Sequence, residues 1–307
     1  MIDLRTDALA PPTEAMWAAM RAARLGWAPY GEDENVALLE QRGAELLGKQ
    51  AAVFVPTCSM ANLAALLALT KRGERVLVDP DAHIVVNEGD WLTHVAGLEI
   101  GEPASVVCIE NTHTRRGGTV LTVAESSELA ARAPRCHLDG ARLAHAAVAL
   151  GVPLAELAAP ADTVSFSLNK GLCAPTGALL AGDEESMAAA RVHVKRLGGA
   201  TIHKAGLLAA AGLVALDLID RLADDHRRAR ELARLIGAPE PQTNIVHVDV
   251  DVAALEERGV RALELGGRVR LVTHRAVTDE DVARAAEGVM SLAPPTSDVS
   301  TATTPAT

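Results

Sequence analysis

Apolar and polar positions along this chain alternate between two periods. Residues 35 to 48 repeat every three to four positions, as a helix with one buried face does, and residues 60 to 71 do the same. Between them, AAVFV at 51 to 55 is continuously apolar and short, which predicts a buried strand. RVLVD, SVVCI, the run ending at Asp139 and TVSFSL repeat that signature between helical stretches, and GALLA at 177 to 181 returns the chain to the sheet. Strands alternating with helices predict an α/β fold with a largely parallel sheet. A long helical stretch from about 204 to 236 then runs into a Pro-containing break, GAPEPQ, at 237 to 242. NIVHVDV, RVRLVTH and the acidic helix TDEDVARAAEGVM follow and predict a small C-terminal α/β domain. The expected organisation is a large domain over 1–236 with an N-terminal arm, a small domain over 237–293, and a Ser/Thr/Pro-rich tail over 294–307 without fixed structure.

Composition narrows the function classes. The chain has 307 residues, 49% of them apolar, enough for a sizeable core. Acidic residues number 40 against 29 basic, a net charge of -11 that argues against nucleic-acid binding. Cys58, Cys108, Cys136 and Cys173 show no paired metal-ligand spacing, so no metal site is expected. No secretory signal or membrane-length apolar run is evident, which makes the cytoplasm the expected location.

Lys170 lies in SFSLNKGLCAPTGALLAG, between an apolar run and a Gly/Pro-rich turn, where folding requires no charge. A lysine can form a Schiff base with a carbonyl cofactor, although most loop lysines are solvated surface residues. Upstream, in CHLDGARLAHAA, Asp139 ends an apolar run, and strand ends line the ligand crevice of open α/β sheets. An aspartate capping the next helix is the plainer alternative. Together the two residues suit pyridoxal phosphate, with the aspartate holding the ring nitrogen protonated and the lysine holding the aldehyde.

Several ordered segments extend this pairing into a family resemblance. MIDLRTDALAPPTEAM, PYGEDENVALLEQRGAELLGKQAAVFVPTCSMAN, DAHIVVNEG, IENTHTRRGGTVL, HLDGARL, SLNKGLCAPTGALLAG, HKAGLLAAAG and RVRLVTHRAVTDED together resemble the threonine aldolases, pyridoxal-phosphate enzymes of fold type I, from the first residues to about 290. The resemblance implies retro-aldol cleavage of a β-hydroxy-α-amino acid such as threonine or allo-threonine to glycine and an aldehyde. Other chemistry on the same cofactor (β-elimination, racemisation or transaldol transfer) and a binding protein with impaired cofactor retention are the alternatives.

The resemblance also implies roles. Lys170 would carry the cofactor, Asp139 would face its ring nitrogen and His83 would stack on the ring. In PTCSMAN, Cys58 and Ser59 open a helix whose amides would hold the phosphate, Cys58 standing where the family has glycine; a Ser-capped helix is the structural alternative. His203 stands where the family has a phosphate-binding arginine, with Lys204 and Arg196 nearby. His83 and His113 are both candidate bases, and Glu110 and Asn111 are candidate supports. Arg270 would bind the substrate carboxylate, helped by Arg142 and by Thr6, which stands at the family's serine; Arg142 could equally reach the cofactor's phenolic oxygen. Tyr30 would line the substrate site, although Trp27, Ala28 and Pro29 before it depart from the family pattern. Assembly as a homodimer or homotetramer, with active sites built across subunits, is implied as well.

Overall fold

A computed structural model describes residues 1–292; the expected tail over 294–307 lies outside the described residues. The strands are Ile2–Asp3 (β1), Ala51–Val55 (β2), Arg75–Val78 (β3), Glu99–Ile100 (β4), Val106–Glu110 (β5), Arg135–Gly140 (β6), Thr163–Ser167 (β7), Ala178–Gly182 (β8), Ile245–Val248 (β9), Val260–Arg261 (β10), Leu263–Leu265 (β11) and Arg268–Val272 (β12). Up to residue 94 the helices are Glu14–Ala22 (α1), Glu34–Leu46 (α2), Cys58–Leu69 (α3), His83–Val86 (α4) and Trp91–His94 (α5). Val123–Ala130 (α6), Leu143–Leu150 (α7), Leu154–Ala158 (α8), Glu184–Arg196 (α9), Ala205–Leu216 (α10), Leu222–Ile236 (α11), Val252–Glu257 (α12) and Asp279–Met290 (α13) follow.

The central sheet has the order β2-β8-β7-β6-β5-β3-β4 and is parallel except for β8, which runs antiparallel to both neighbours. This is the mostly parallel α/β architecture that the apolar runs predict. Both faces are covered. Phe54, Val107, Ile109, Leu138, Val164, Phe166 and Leu179 pack on one side with residues of α2, α7 and α10. Val53, Val55 and Leu180 face α3 and α9 on the other. Such double burial is why the strands read as unbroken apolar runs.

The stretch expected as one long helix over 204–236 is two helices, α10 and α11, parted at 217–221. Leu216 and Leu222 are both buried in the first core, while Ala229, Leu232 and Ala233 of the second helix pack into another. One straight helix would have to serve two cores, and no Gly or Pro marks the turn. The second core also takes Ile2, Leu4, Val246, Leu271, Val282 and Ala286, and is floored by the antiparallel sheet β11-β12-β9. The first residues reach it as a strand, with β1 pairing parallel to β10 through Ile2 opposite Val260.

Because β2, β3, β5, β6 and β7 run in one direction, their C-terminal ends share one edge. The segments after them carry Cys58, His83, His113, Arg142 and Lys170, with Asp139 near the end of β6. The last of these loops is closely held. The Cys173 amide donates to the Lys170 carbonyl at 2.9 Å, that of Ala174 to Leu168 at 2.9 Å, and Arg221 donates to the Gly171 carbonyl at 3.0 Å. A side chain at Gly171 would meet His145 Nε2 at 2.6 Å and Leu222 Cδ2 at 2.7 Å. Gly171→Ala should therefore cost about 1–3 kcal/mol through overpacking. Urea unfolding of the two proteins checks this; equal midpoints would show that the loop yields freely.

Candidate active site

Thr57 caps α3, its hydroxyl accepting from the Met60 amide at 3.1 Å, so the first-turn amides of Cys58 and Ser59 have no acceptor within the helix. The turn before this cap is tied to the lysine loop, since the Pro56 carbonyl accepts from the Thr176 hydroxyl at 2.8 Å and the Gly177 amide at 3.1 Å. The Cys58 thiol donates to Ser165 Oγ at 3.3 Å, and burial, with the Asp139 charge adding to it, pushes its pKa up to about 12. The thiol is thus neutral near pH 7. The Lys170 ammonium acts on it in the opposite direction, which places Asp139 and Lys170 around the same group.

Asp139 is buried. Its Oδ2 accepts from Asn62 Nδ2 at 3.0 Å and its Oδ1 from the Ala141 amide at 3.1 Å. The register sets it opposite Glu110 on β5 and Ser165 on β7. Glu110 pins the two histidine loops, accepting from the His83 amide at 2.7 Å and the Thr114 amide at 2.9 Å. Burial lowers the His83 pKa, while Asp139 and Glu110 raise it and Lys170 and Arg142 lower it. His113 is buried with neither ring nitrogen hydrogen-bonded among the described residues; its Nε2 stands 3.8 Å from Asp79.

The N-terminal arm enters here. Asp7, fully buried, accepts from Arg142 Nη2 at 2.6 Å and Nε at 2.8 Å, and Arg142 Nη1 donates to Thr114 at 3.1 Å. Burial alone would raise the Asp7 pKa, but Arg142 and His145 hold it well below the ordinary value. Thr6 caps the turn that delivers Asp7, its hydroxyl accepting from the Ala8 amide at 3.3 Å. Arg270, on β12, is 5% exposed. Its Nη2 donates to the Arg5 carbonyl at 3.0 Å, and its Nε has no partner. Burial and the neighbouring Arg142 push its pKa down to about 10, which leaves it charged at neutral pH.

Tyr30 and His203 stand apart from these groups. Trp27 Nε1 donates to His203 Nδ1 at 3.1 Å, and the Trp27 and Tyr30 rings lie 4.3 Å apart on the surface, Tyr30 being 69% exposed. Among the described residues no hydrogen bond joins them to Lys170, Asp139 or Arg270. Among the same residues, no group of three or more His, Cys, Asp or Glu is arranged to hold a metal ion, and no helix is long and apolar enough to cross a membrane.

The residues present fit pyridoxal phosphate. A buried carboxylate, a lysine with no hydrogen bond or ion pair among the described residues, free helix-start amides and an unpaired buried guanidinium surround one edge of the sheet. Sequence reasoning passed over four members of this site. Asp7 lies in the arm, Asn62 in α3, Glu88 just beyond α4 and His137 in β6, and only the tertiary structure joins them. Glu88, a carboxylate five residues after His83, carried the one local signal.

This is the fold of the fold type I pyridoxal-phosphate enzymes. A family model for beta-eliminating lyases matches residues 3–102 and 99–253. The low specificity L-threonine aldolase of Escherichia coli strain K12 is 35% identical, the alignment covering 93% of this chain and 97% of that one. Low-specificity L-threonine aldolase 1 of Arabidopsis thaliana is 31% identical over 92% and 93% of the two chains. Among solved structures, the threonine aldolase of Leishmania major superposes with a TM-score of 0.80 at 20% identity over 94% and 98%. A serine palmitoyltransferase of Sphingomonas wittichii gives 0.73 at 18% over 94% and 86%. The chain belongs to the beta-eliminating lyase family, within its threonine aldolase group, and is a pyridoxal-phosphate-dependent lyase.

Removing the Asp7 charge would leave the buried Arg142 without its carboxylate. Asp7→Asn should cost about 3–5 kcal/mol of stability, the penalty for breaking a buried ion pair from one side. Denaturant unfolding near pH 7 reads it; a loss near zero would mean that water already solvates the pair.

Proposed function

We propose that this enzyme cleaves a β-hydroxy-α-amino acid, threonine or allo-threonine in the first instance, to glycine and the corresponding aldehyde. The observation that carries this reading is Arg270, a buried charged guanidinium whose Nε has no partner and which forms no ion pair among the described residues, Asp7 being committed to Arg142. A buried cation in that state calls for an anion of matching geometry, and an α-carboxylate provides one. The names of the relatives support the same substrate class.

Lys170 Nζ would hold the cofactor's aldehyde carbon, Asp139 its ring nitrogen, and the amides of Cys58 and Ser59 its phosphate. When bound, the cofactor supplies an electron sink for charge developing at Cα. Arg270 fixes the substrate carboxylate, with Thr6 and the remaining N–H groups of Arg142 beside it. His83 or His113 accepts the β-hydroxyl proton at a ring nitrogen, and that transfer drives carbon–carbon cleavage. Both imidazoles stand on loops fixed by Glu110, so either can be held at a constant position relative to Asp139.

The exposed Trp27, Tyr30 and His203 are assigned to the contact with a second copy of the chain, whose active site they would help to close in a homodimer or homotetramer. His203 would then meet the phosphate, with Lys204 or Arg196 lending charge. A large unit over 1–236, a small unit over 237–293 and a cytoplasmic location complete the reading.

Purified protein incubated with threonine should release acetaldehyde and glycine in equal amounts. Lys170→Ala should lose the visible absorbance of bound cofactor and at least about a thousandfold in kcat. Arg270→Lys should raise KM about 10- to 100-fold, the worth of about 1.5–3 kcal/mol of charged hydrogen bonding. Pyruvate and ammonia in place of aldehyde would assign elimination instead. Undiminished colour and turnover in Lys170→Ala would overturn the assignment altogether.

A further inference from the structure

Beside His83 lies a second ionisable group that the reaction above does not use. The Glu88 side chain is 2% exposed, with Oε1 3.7 Å from His83 Nε2. Both hydrogen bonds that this carboxyl accepts come from neutral groups: Asn62 Nδ2 donates to Oε1 at 3.3 Å and Trp91 Nε1 donates to Oε2 at 2.9 Å. Among the described residues no lysine or arginine pairs with it.

The Asn62 amide ties this group to the cofactor's carboxylate. Its nitrogen donates to Glu88 and to Asp139 Oδ2, and its oxygen faces His137 Nε2 at 3.0 Å. An amide oxygen only accepts, so His137 Nε2 bears hydrogen and its Nδ1 accepts from the Thr163 hydroxyl at 2.9 Å. Burial holds His137 neutral, its pKa pushed down to about 4. The orientation of Asn62 is thereby fixed from behind, and two carboxyl groups are held on one NH₂. Two such neighbours in a buried site do not both ionise readily. Burial first, and then the Asp139 charge, push the Glu88 pKa up to about 7. Asp139 also accepts from the Ala141 amide and Glu88 from the Trp91 indole, and it is the Glu88 carboxyl whose proton affinity is raised.

We propose that Glu88 is a positioning residue that shares one proton with His83 and so sets whether that imidazole enters the reaction neutral or charged. The proposal rests on the reading that His83 faces the reacting substrate. The transfer is balanced within the pair: the Glu88 Oε1–H bond breaks, a His83 Nε2–H bond forms, and nothing is oxidised. At 3.7 Å the two atoms are beyond hydrogen-bond range, so the transfer requires the two side chains to approach each other. The other charges facing His83 are Asp139 and Glu110 on one side of the balance and Lys170 and Arg142 on the other. Two of those four favour the charged imidazole and two the neutral one, while burial favours the neutral one, so a proton passed from Glu88 is the addition that would charge the ring.

The test is a pH titration of the holoenzyme by NMR, following ¹⁵N-histidine signals in the wild type and in Glu88→Gln, with the His83 signal assigned from His83→Asn. Loss of the carboxylate should lower the His83 midpoint by about one pH unit, a tenfold loss of proton affinity, and the acid limb of kcat/KM should move with it. Glu88→Asp should restore part of the shift. Linkage makes the coupling reciprocal, so His83→Asn should displace the ¹³C-carboxyl midpoint of Glu88 by a similar amount. That arm decides the matter even if Glu88→Gln does not fold. Midpoints unmoved in both arms would reduce Glu88 to a structural acceptor for Trp91 and Asn62. Absence of any aldolase turnover would leave these midpoints readable, so failure of the functional reading is distinct from failure of this one.

Discussion

The ion pair between Asp7 and Arg142 is the interaction on which the site depends. Both side chains are almost wholly out of water, with a desolvation cost of several kcal/mol per ion. Two short bonds from one guanidinium edge and a third from its other nitrogen to Thr114 offset that cost. Asp7 reaches Arg142 only because the first residues pair with β10 and bury Ile2 and Leu4 in the second core. Arg142 follows β6 of the central sheet, and Arg270 lies on β12 of the smaller one. One carboxylate is therefore set among parts of three structural layers, and it satisfies one arginine while leaving the other charged and incomplete. The assembly of both cores therefore also sets a buried guanidinium beside an ion pair that does not include it.

The opposite side of the edge solves a different electrostatic problem. Asp139, Glu88 and Glu110 bring three carboxyl groups near one another, and Lys170 and Arg142 are the cations whose charge acts on the same His83 imidazole. Repulsion is contained in two ways. Glu110 spends its oxygens on the backbone amides of His83 and Thr114, which converts charge into loop position. Asp139 and Glu88 share the Asn62 amide, itself oriented by a neutral histidine. A buried polar network in which each member is satisfied is rigid, and on the proposed reading that rigidity would hold Asp139 against the cofactor ring.

The parts of this arrangement that were legible in the sequence are those carried by local pattern. The buried parallel strands appear as apolar runs because both their faces are covered, and Lys170, Asp139, His83, His113 and Arg142 are visible because each lies within or after such a run. The break at 217–221 was not legible, since it is imposed by two cores competing for one helical stretch and not by Gly or Pro. Asp7 looked like one more acidic residue near the start of the chain. Its meaning comes from a pairing 135 positions away in sequence. His137 and Asp139 stand two apart on β6, and only the packing of α3 on the sheet brings Asn62 to both.

Cys58 shows how a departure from the family pattern is absorbed. A cysteine in place of glycine at the start of α3 introduces a group that, if ionised, would repel a phosphate. The fold prevents this by burying the thiol against Ser165 and beside Asp139, where its pKa rises to about 12 and it remains a neutral donor. The helix start keeps its free amides and its favourable dipole, which act on an anion without any side-chain charge.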